Sequence, residues 1–300
     1  EGDAVRLLTE WMAAHGAIAC IDAAGNAVGV WGTGERLIVL LGHIDTYGGV
    51  PPVRLDGRVL YGRGAVDAKG SLCAFAAAAS QAPLPPDVRV MVVGAVEEEC
   101  ATSAGARHIA AQVTPDMCII GEPSGWDRLT LGYKGRVQLN ARWQIPHAHT
   151  AAQHRTAPEA AFAWWAMVQA YVESFNGGRV GAFDTLSATL LRVHSASDGL
   201  TDSCEARVSL RLPPNVSPDV IAAALMHDEA GGVFTSEGHE RAYLAEKDSA
   251  LTRLMRGAIR AEGGTPRYVH KTGTSDMNVV GTVWACPIVA YGAGDSSLDH

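Results

Sequence analysis

The sequence predicts an α/β sheet domain interrupted by a smaller α+β insert, and three observations carry that prediction. Short apolar runs bounded by turn residues alternate with helical patterns through the first 132 residues. After Gly132 the pattern changes to half-exposed, alternating strands in the order β-α-β-β-α-β, a split-βαβ arrangement. Sheet-domain signals then return near residue 249, so the second region interrupts the first rather than following it. The expected boundaries are 1–132 with 241–300 for the sheet domain and 133–240 for the insert.

The elements follow in order. "AVRLLTEWMAAH" (4–15) has helical spacing of apolar positions, and "IDAAGNAVGVWG" reads as a hairpin turning at Gly25-Asn26. Leu37 to Leu41 is too short to span a membrane and too apolar to face water, so it predicts an interior strand buried on both faces. "GSLCAFAAAASQA" is an alanine-rich helix closed by Pro83, and "VRVMVVGAV" (88–96) is a second interior strand running into Glu97-Glu98-Glu99. The helix "SAGARHIAAQV" leads to a third strand, "DMCIIG", and Glu122. In the insert, "GRVQLNARWQI" predicts a strand and "APEAAFAWWAMVQAYVESF" a long helix. Strands near 185–194 and 204–212, the helix "SPDVIAAALMHDEA" and a short strand at 233–236 complete it. Phe162, Trp164 and Trp165 on the long helix are expected as core or interface packing residues. The helix "SALTRLMRGAIRAEGG" and the strand "VWACPIVAYGAG" close the sheet domain.

Composition excludes several functions. A chain of 300 residues with 47% hydrophobic and 19% charged residues suits one large or two ordinary globular domains. No apolar stretch is long enough for a membrane span and no signal peptide is visible. The net charge of −8 argues against nucleic acid as a partner, since phosphate binding needs a basic face. Cys20, Cys73, Cys100, Cys118, Cys204 and Cys286 lie far apart without a C-x-x-C pair, and are expected as reduced, buried thiols of a cytoplasmic protein. The chain opens at Glu1 without methionine and stops at His300 after "GDSSLD", so both ends read as cropped.

Chemistry concentrates where strands end. "LLGHIDTYGG" ends an interior strand on His43-x-Asp45; alone, that is an ordinary turn with a hydrogen-bonded histidine. The company changes the reading: the glutamate triplet, Glu122, Asp67 in "GRGAVDAKG" and His300 in "GDSSLDH" occupy comparable positions. Open α/β sheets gather ligands at the carboxyl ends of their strands. Carboxylates crowded together are costly unless cations neutralise them, and a His/Asp/Glu mixture suits zinc. A bridging carboxylate would hold two ions about 3.5–4 Å apart around one activated water. Successive side chains leaving a strand point to opposite sides, so one member of the triplet would bind metal while a neighbour stays free as a general base.

"GHIDT", "GRGAVDAKG", "EEE", "GEPS", "GTSD" and "DH" resemble the dinuclear zinc deacylase and carboxypeptidase family that includes carboxypeptidase G, acetylornithine deacetylase and succinyl-diaminopimelate desuccinylase. The similarity runs through nearly the whole chain. "VVGAVEEECATSAGARH" and "KTGTSDMN" are most similar to the branch acting on lysine or ornithine linked to an amino-carrier protein. The resemblance implies a three-layer, zinc-peptidase-like catalytic domain with a mixed central sheet, interrupted by a ferredoxin-like lid and dimerisation domain. It implies two Zn²⁺, with Co²⁺ a possible substitute: His43 and Glu122 on one ion, Glu99 and His300 on the other, and Asp67 bridging. Glu98 becomes the general base, although a shift of one residue would make Glu97 the base and Glu98 the ligand. Asp45 would orient the His43 imidazole. His149, in "PHAHTAA", would stabilise the oxyanion, with His147 and His154 as neighbouring alternatives. Arg211 in "SLRLPP" would grip a substrate carboxylate, and Gly273, Thr274 and Ser275 would line the substrate. Ser197 and Asp198 stand where the family often has an asparagine. The implied reaction frees a small amino acid, lysine or ornithine, from a small acidic carrier. An acidic enzyme meeting an acidic carrier needs a local basic patch, for which Arg136, Arg142, Arg179 and Arg192 are candidates.

Overall fold

The computed structural model describes residues 1–149, 151 and 154–298, and the chain divides into two compact units. The first comprises 1–133, 243–271 and 275–300, the second 134–242 with 272–274. No helix among the described residues is long and apolar enough to cross a membrane.

The first unit begins with α1 (Gly2–Ala14), β1 (Ile18–Ile21), β2 (Ala27–Trp31), β3 (Arg36–His43) and a small hairpin, β4 (Arg54–Asp56) and β5 (Val59–Tyr61). It continues with α2 (Lys69–Gln81), β6 (Val88–Ala95), α3 (Ala104–Gln112), β7 (Met117–Ile120) and β8 (Arg128–Tyr133). The second unit supplies β9 (Gly135–Pro146), α4 (Ala157–Asn176), β10 (Ser187–Ser197), β11 (Thr201–Leu212), α5 (Pro218–Leu225) and β12 (Val233–Glu240). The chain then returns to the first unit with β13 (Tyr243–Leu244), α6 (Ala250–Ala261), β14 (Arg267–Lys271), α7 (Asp276–Val280) and β15 (Ile288–Ala290).

The first unit is built on a mixed sheet in the order β1-β2-β6-β3-β7-β15-β8, with β13 and β14 both pairing with β8. Its middle strands β6, β3, β7 and β15 are parallel, and antiparallel pairs flank them. Helices cover both faces. Leu37, Val39 and Leu41 of β3 pack in one core with residues of α3, α6 and α7, while Ile38 and Leu40 pack against the other core with α1 and α2. Such two-sided burial is why β3 reads as a continuous apolar run.

The second unit is an antiparallel sheet in the order β12-β9-β11-β10, with α4 and α5 on one face. Inward residues Val137, Leu139, Ala141, Trp143, Val208 and Leu210 alternate with polar ones and form one core with Trp164 and Val168 of α4. α4 starts at a capping box: Glu159 N–H donates to the Thr156 hydroxyl, and Thr156 N–H donates to the Glu159 carboxylate at 2.8 Å. Trp164 is 1% exposed and donates its indole N–H to the Leu225 carbonyl, so Trp164→Ala is expected to destabilise this unit by about 3–5 kcal/mol in denaturant titrations.

Several local expectations are corrected. Phe162 is 58% exposed and so lies outside the core that holds Trp164. α5 ends at Leu225, well before the expected run to Ala230, and the last sheet strand covers only Ile288–Ala290 of "VWACPIVAYGAG". Cys20, Cys73 and Cys100 are exposed and Cys286 is half-buried, leaving only Cys118 and Cys204 as interior thiols. Alanine-rich surroundings misled here, because small residues on a helix are as common on its open face as in the core.

Candidate metal centre

The parallel block places the predicted residues side by side. β3 ends on His43, level with Ala95 at the end of β6, and Leu41 pairs with Ile120 just before Glu122. Neighbouring strands thus deliver His43, the glutamate triplet and Glu122 to one edge of the sheet. Asp67 arrives from the loop before α2, next to the helix N-terminus, where a carboxylate is favoured.

Two donor groups result. Ligand atoms of His43, Asp67 and Glu122 lie within 4.8 Å of one another, and so do those of His43, Glu98 and Glu99. His43 Nε2 is 2.9 Å from Asp67 Oδ1, and its Nδ1 is 3.3 Å from the Asp45 carbonyl and 3.5 Å from Asp45 Oδ1. A cleft of about 370 Å³ adjoins them, lined in part by Arg63, Val66, Asp67 and Glu99.

The electrostatics show what the cluster is suited to hold. Burial, reinforced by the charges of Asp67 and Asp276, pushes the Glu122 carboxyl up to about 8 against the opposing pull of His43 and Lys271. Removal from water also drives Glu98 well above the usual carboxylate range; His43 opposes this, and Glu122, Asp276 and Glu99 add to it. Burial alone would lower the His43 imidazole, but Asp45, Asp67, Glu98 and Glu122 overcome it and raise it well above its ordinary value. Buried carboxylates that raise one another's proton affinity and converge on one imidazole fit divalent cations. An oxygen-rich set with nitrogen from histidine is the donor chemistry of zinc and its neighbours.

The triplet is divided by a turn, not by strand alternation as expected. β6 stops at Ala95, and Glu97 takes a left-handed backbone (φ 61°). Its carboxylate accepts from the Thr102 hydroxyl at 2.5 Å and belongs to neither donor group. Glu98 and Glu99 turn inward, held by Asp45, whose two carboxylate oxygens accept their backbone N–H groups at 3.2 and 3.0 Å. Those bonds and His43 keep Asp45 ionised, below the usual range despite its burial. Asp45 therefore fixes two glutamates as well as the histidine. Asp45→Asn is expected to weaken metal affinity about 10- to 100-fold, measured by competition with a chelating dye.

Residues that sequence reading missed support the same edge. The buried Asn26 donates to Asp22 and to the Gly105 carbonyl and accepts from Val96 N–H, anchoring the exit of β6. A Cβ at Gly105 would sit 2.3 Å from Asn26 Oδ1 and 2.5 Å from Val96 N, so only glycine allows this approach. "GN" carries the signal of a turn, and nothing local signals the long-range clamp. Asp276 and the buried Tyr133 lie in the field of Glu98 and Glu122, and Lys69 donates to the Asp45 carbonyl at 3.4 Å.

The other predicted residues are placed as follows. His300 lies outside the described residues. In the second unit, His149 is exposed after β9 and its Nδ1 accepts from Ala151 N–H. Arg211 donates to the Thr274 hydroxyl at 2.9 Å, next to Gly273. In the first unit, the buried Ser275 caps α7, accepting from Met277 N–H. His147 pairs with Asp202 at 3.0 Å.

A mixed α/β sheet with a carboxylate–imidazole cluster suited to divalent metal at its strand ends is the architecture of a metal-dependent hydrolase. Residues 39–300 match the model of the peptidase family M20/M25/M40, and the chain belongs to that metal-dependent family. The [LysW]-lysine hydrolase of Deinococcus radiodurans is 48% identical over 303 residues, covering 98% of this chain and 83% of that one. The [LysW]-lysine/[LysW]-ornithine hydrolase of Sulfurisphaera tokodaii is 30% identical over 274 residues, covering 89% and 75%. Among solved structures, the M20 metallo-carboxypeptidase Sso-CP2 from Sulfolobus solfataricus has a similar fold, with a TM-score of 0.75 at 17% identity over 96% of this chain and 86% of that one.

Proposed function

We propose that this protein hydrolyses the amide linking lysine or ornithine to the carrier LysW, releasing the free amino acid in a biosynthetic pathway of the cytoplasm. The observation that carries the reading is the 48% identity with a [LysW]-lysine hydrolase over 98% of the chain, joined to the acidic cluster around His43.

His43 and Glu122 would hold one ion, Glu99 and His300 the other, and Asp67 both. Zn²⁺, with Co²⁺ as substitute, would supply Lewis acidity that polarises the scissile carbonyl and acidifies water. Glu98 takes a proton from the attacking water and passes it to the departing amine. Its raised proton affinity suits both halves of that task, and the outward turn of Glu97 supports this register. Asp45 holds the Glu98–Glu99 turn and orients His43. His149 is assigned the oxyanion-stabilising role, and Arg211 with Gly273, Thr274 and Ser275 the substrate contacts. Residues 133–240 form a ferredoxin-like unit, a topology that the strand order β12-β9-β11-β10 supports, and serve as the lid through which two copies pair.

The test is a competitive panel of lysine-loaded LysW, ornithine-loaded LysW, N-acetylornithine and N-succinyl-diaminopimelate. A kcat/KM for a loaded carrier at least tenfold above the free acylated amino acids is expected. Preference for a free acylated amino acid would replace this reading with that of a small-molecule deacylase.

A further inference from the structure

The sheet of the second unit has one face covered by α4 and α5 and one open face, and the open face collects arginines. Strand alternation assigns Arg136, Asn140 and Arg142 of β9 and Glu205, Arg207 and Arg211 of β11 to the open side, because their sequence neighbours fill the core; Arg192 of β10 joins them through a register shift after Leu190 that sets it opposite Arg207. We propose that this face, centred on Arg142, Arg192 and Arg207, is the docking surface for an acidic protein partner. Resting on the function proposed above, that partner is the loaded carrier.

Two features of the pairing register carry the proposal. Arg192 lies directly opposite Arg207, and Arg211 directly opposite Arg136. Like charges opposed across a sheet repel, and an anionic surface laid over the Arg192–Arg207 pair would relieve that repulsion. Glu205 approaches Arg142 at 3.8 Å, and Glu237 approaches Arg207 at 3.5 Å, the latter also donating to Asn140 at 2.8 Å. With Glu240 opposite Arg136, the face holds five arginines and three glutamates, an excess of positive charge on a chain whose net charge is −8.

The shape agrees. Arg142, Arg192, Arg207, Glu205 and Asn140 line a groove of about 340 Å³. Four strands of this length present a surface of about 700 Å², near the share one partner contributes to a standard interface. Arg211, bonded to Thr274, stands four residues from Arg207, roughly 13 Å along the strand. A carrier seated on the groove thus has its tether one short span from the arginine assigned to the substrate. Arg179, stacked on Phe175 beyond α4, is not part of this face.

The experiment compares kcat/KM for lysine-loaded LysW and for Nα-acetyl-lysine in Arg192→Glu and in the triple variant Arg142→Glu/Arg192→Glu/Arg207→Glu, at low and moderate salt. The exposed Arg192 has no ion pair among the described residues, so the single variant keeps the test valid if the triple one misfolds. Expected is a fall of at least tenfold for the loaded carrier, carried by KM and shrinking with salt, and a change below twofold for Nα-acetyl-lysine. Equal effects on both substrates, no effect on either, or loss of self-association in place of carrier turnover overturns the docking surface. A wild-type enzyme that cleaves Nα-acetyl-lysine but not the loaded carrier overturns the proposed function, and this inference with it.

Discussion

Glu98→Gln lowers kcat by about a thousandfold, within the range for removing a general acid–base group, while bound metal, thermal melting and KM stay near wild type. The amide side chain keeps the size of the carboxylate and cannot exchange the proton. Asp45 continues to hold the turn through the residue 98 and 99 backbone, so the geometry survives the change. Steady-state kinetics with metal analysis on the same sample decide the matter: full activity in Glu98→Gln removes the base assignment. Glu97→Gln serves as the control and should retain activity within a few-fold, since its carboxylate binds the Thr102 hydroxyl outside both donor groups.

Removing the metal abolishes turnover and also weakens the fold. At a hundredfold excess over its dissociation constant, one bound ion contributes about 2.7 kcal/mol, so chelation should lower Tm by about 5–8 °C. The loss has a pH signature. Glu122 is raised from 4.5 to about 8 by burial, so the folded metal-free protein binds more protons than the unfolded chain between those values. Stability of the metal-free form therefore falls as pH rises through that window, and His43, also raised, acts in the same sense. The difference in Tm between loaded and chelated protein should be larger at pH 8 than at pH 6. A pH-independent difference would show that the carboxylates are not held together as described.

The fold class and the residues of the cluster were legible because their signals are short-range. The continuous apolar run of β3 announces two-sided burial, and an imidazole or carboxylate at the end of each such strand announces a shared edge. The division of labour within Glu97-Glu98-Glu99 was not legible by strand alternation, because the strand had already ended and a left-handed residue set the side chains' directions. Asp45 was read as a partner of His43 alone; its grip on the turn depends on a fold contact more than fifty residues away. The arginine face needed strand register, since Arg192 and Arg207 become opposed only once β10 and β11 are aligned.

One feature of the sheet bears on how the protein comes into being. β15, near the end of the described chain, slots between β7 and β8, which precede it by more than 150 residues. A chain emerging from the ribosome therefore leaves a gap between β7 and β8 of its main sheet until the entire insert has been synthesised. Contacts so distant in sequence close slowly. The borders of β7 and β8 that β15 covers stay unpaired meanwhile.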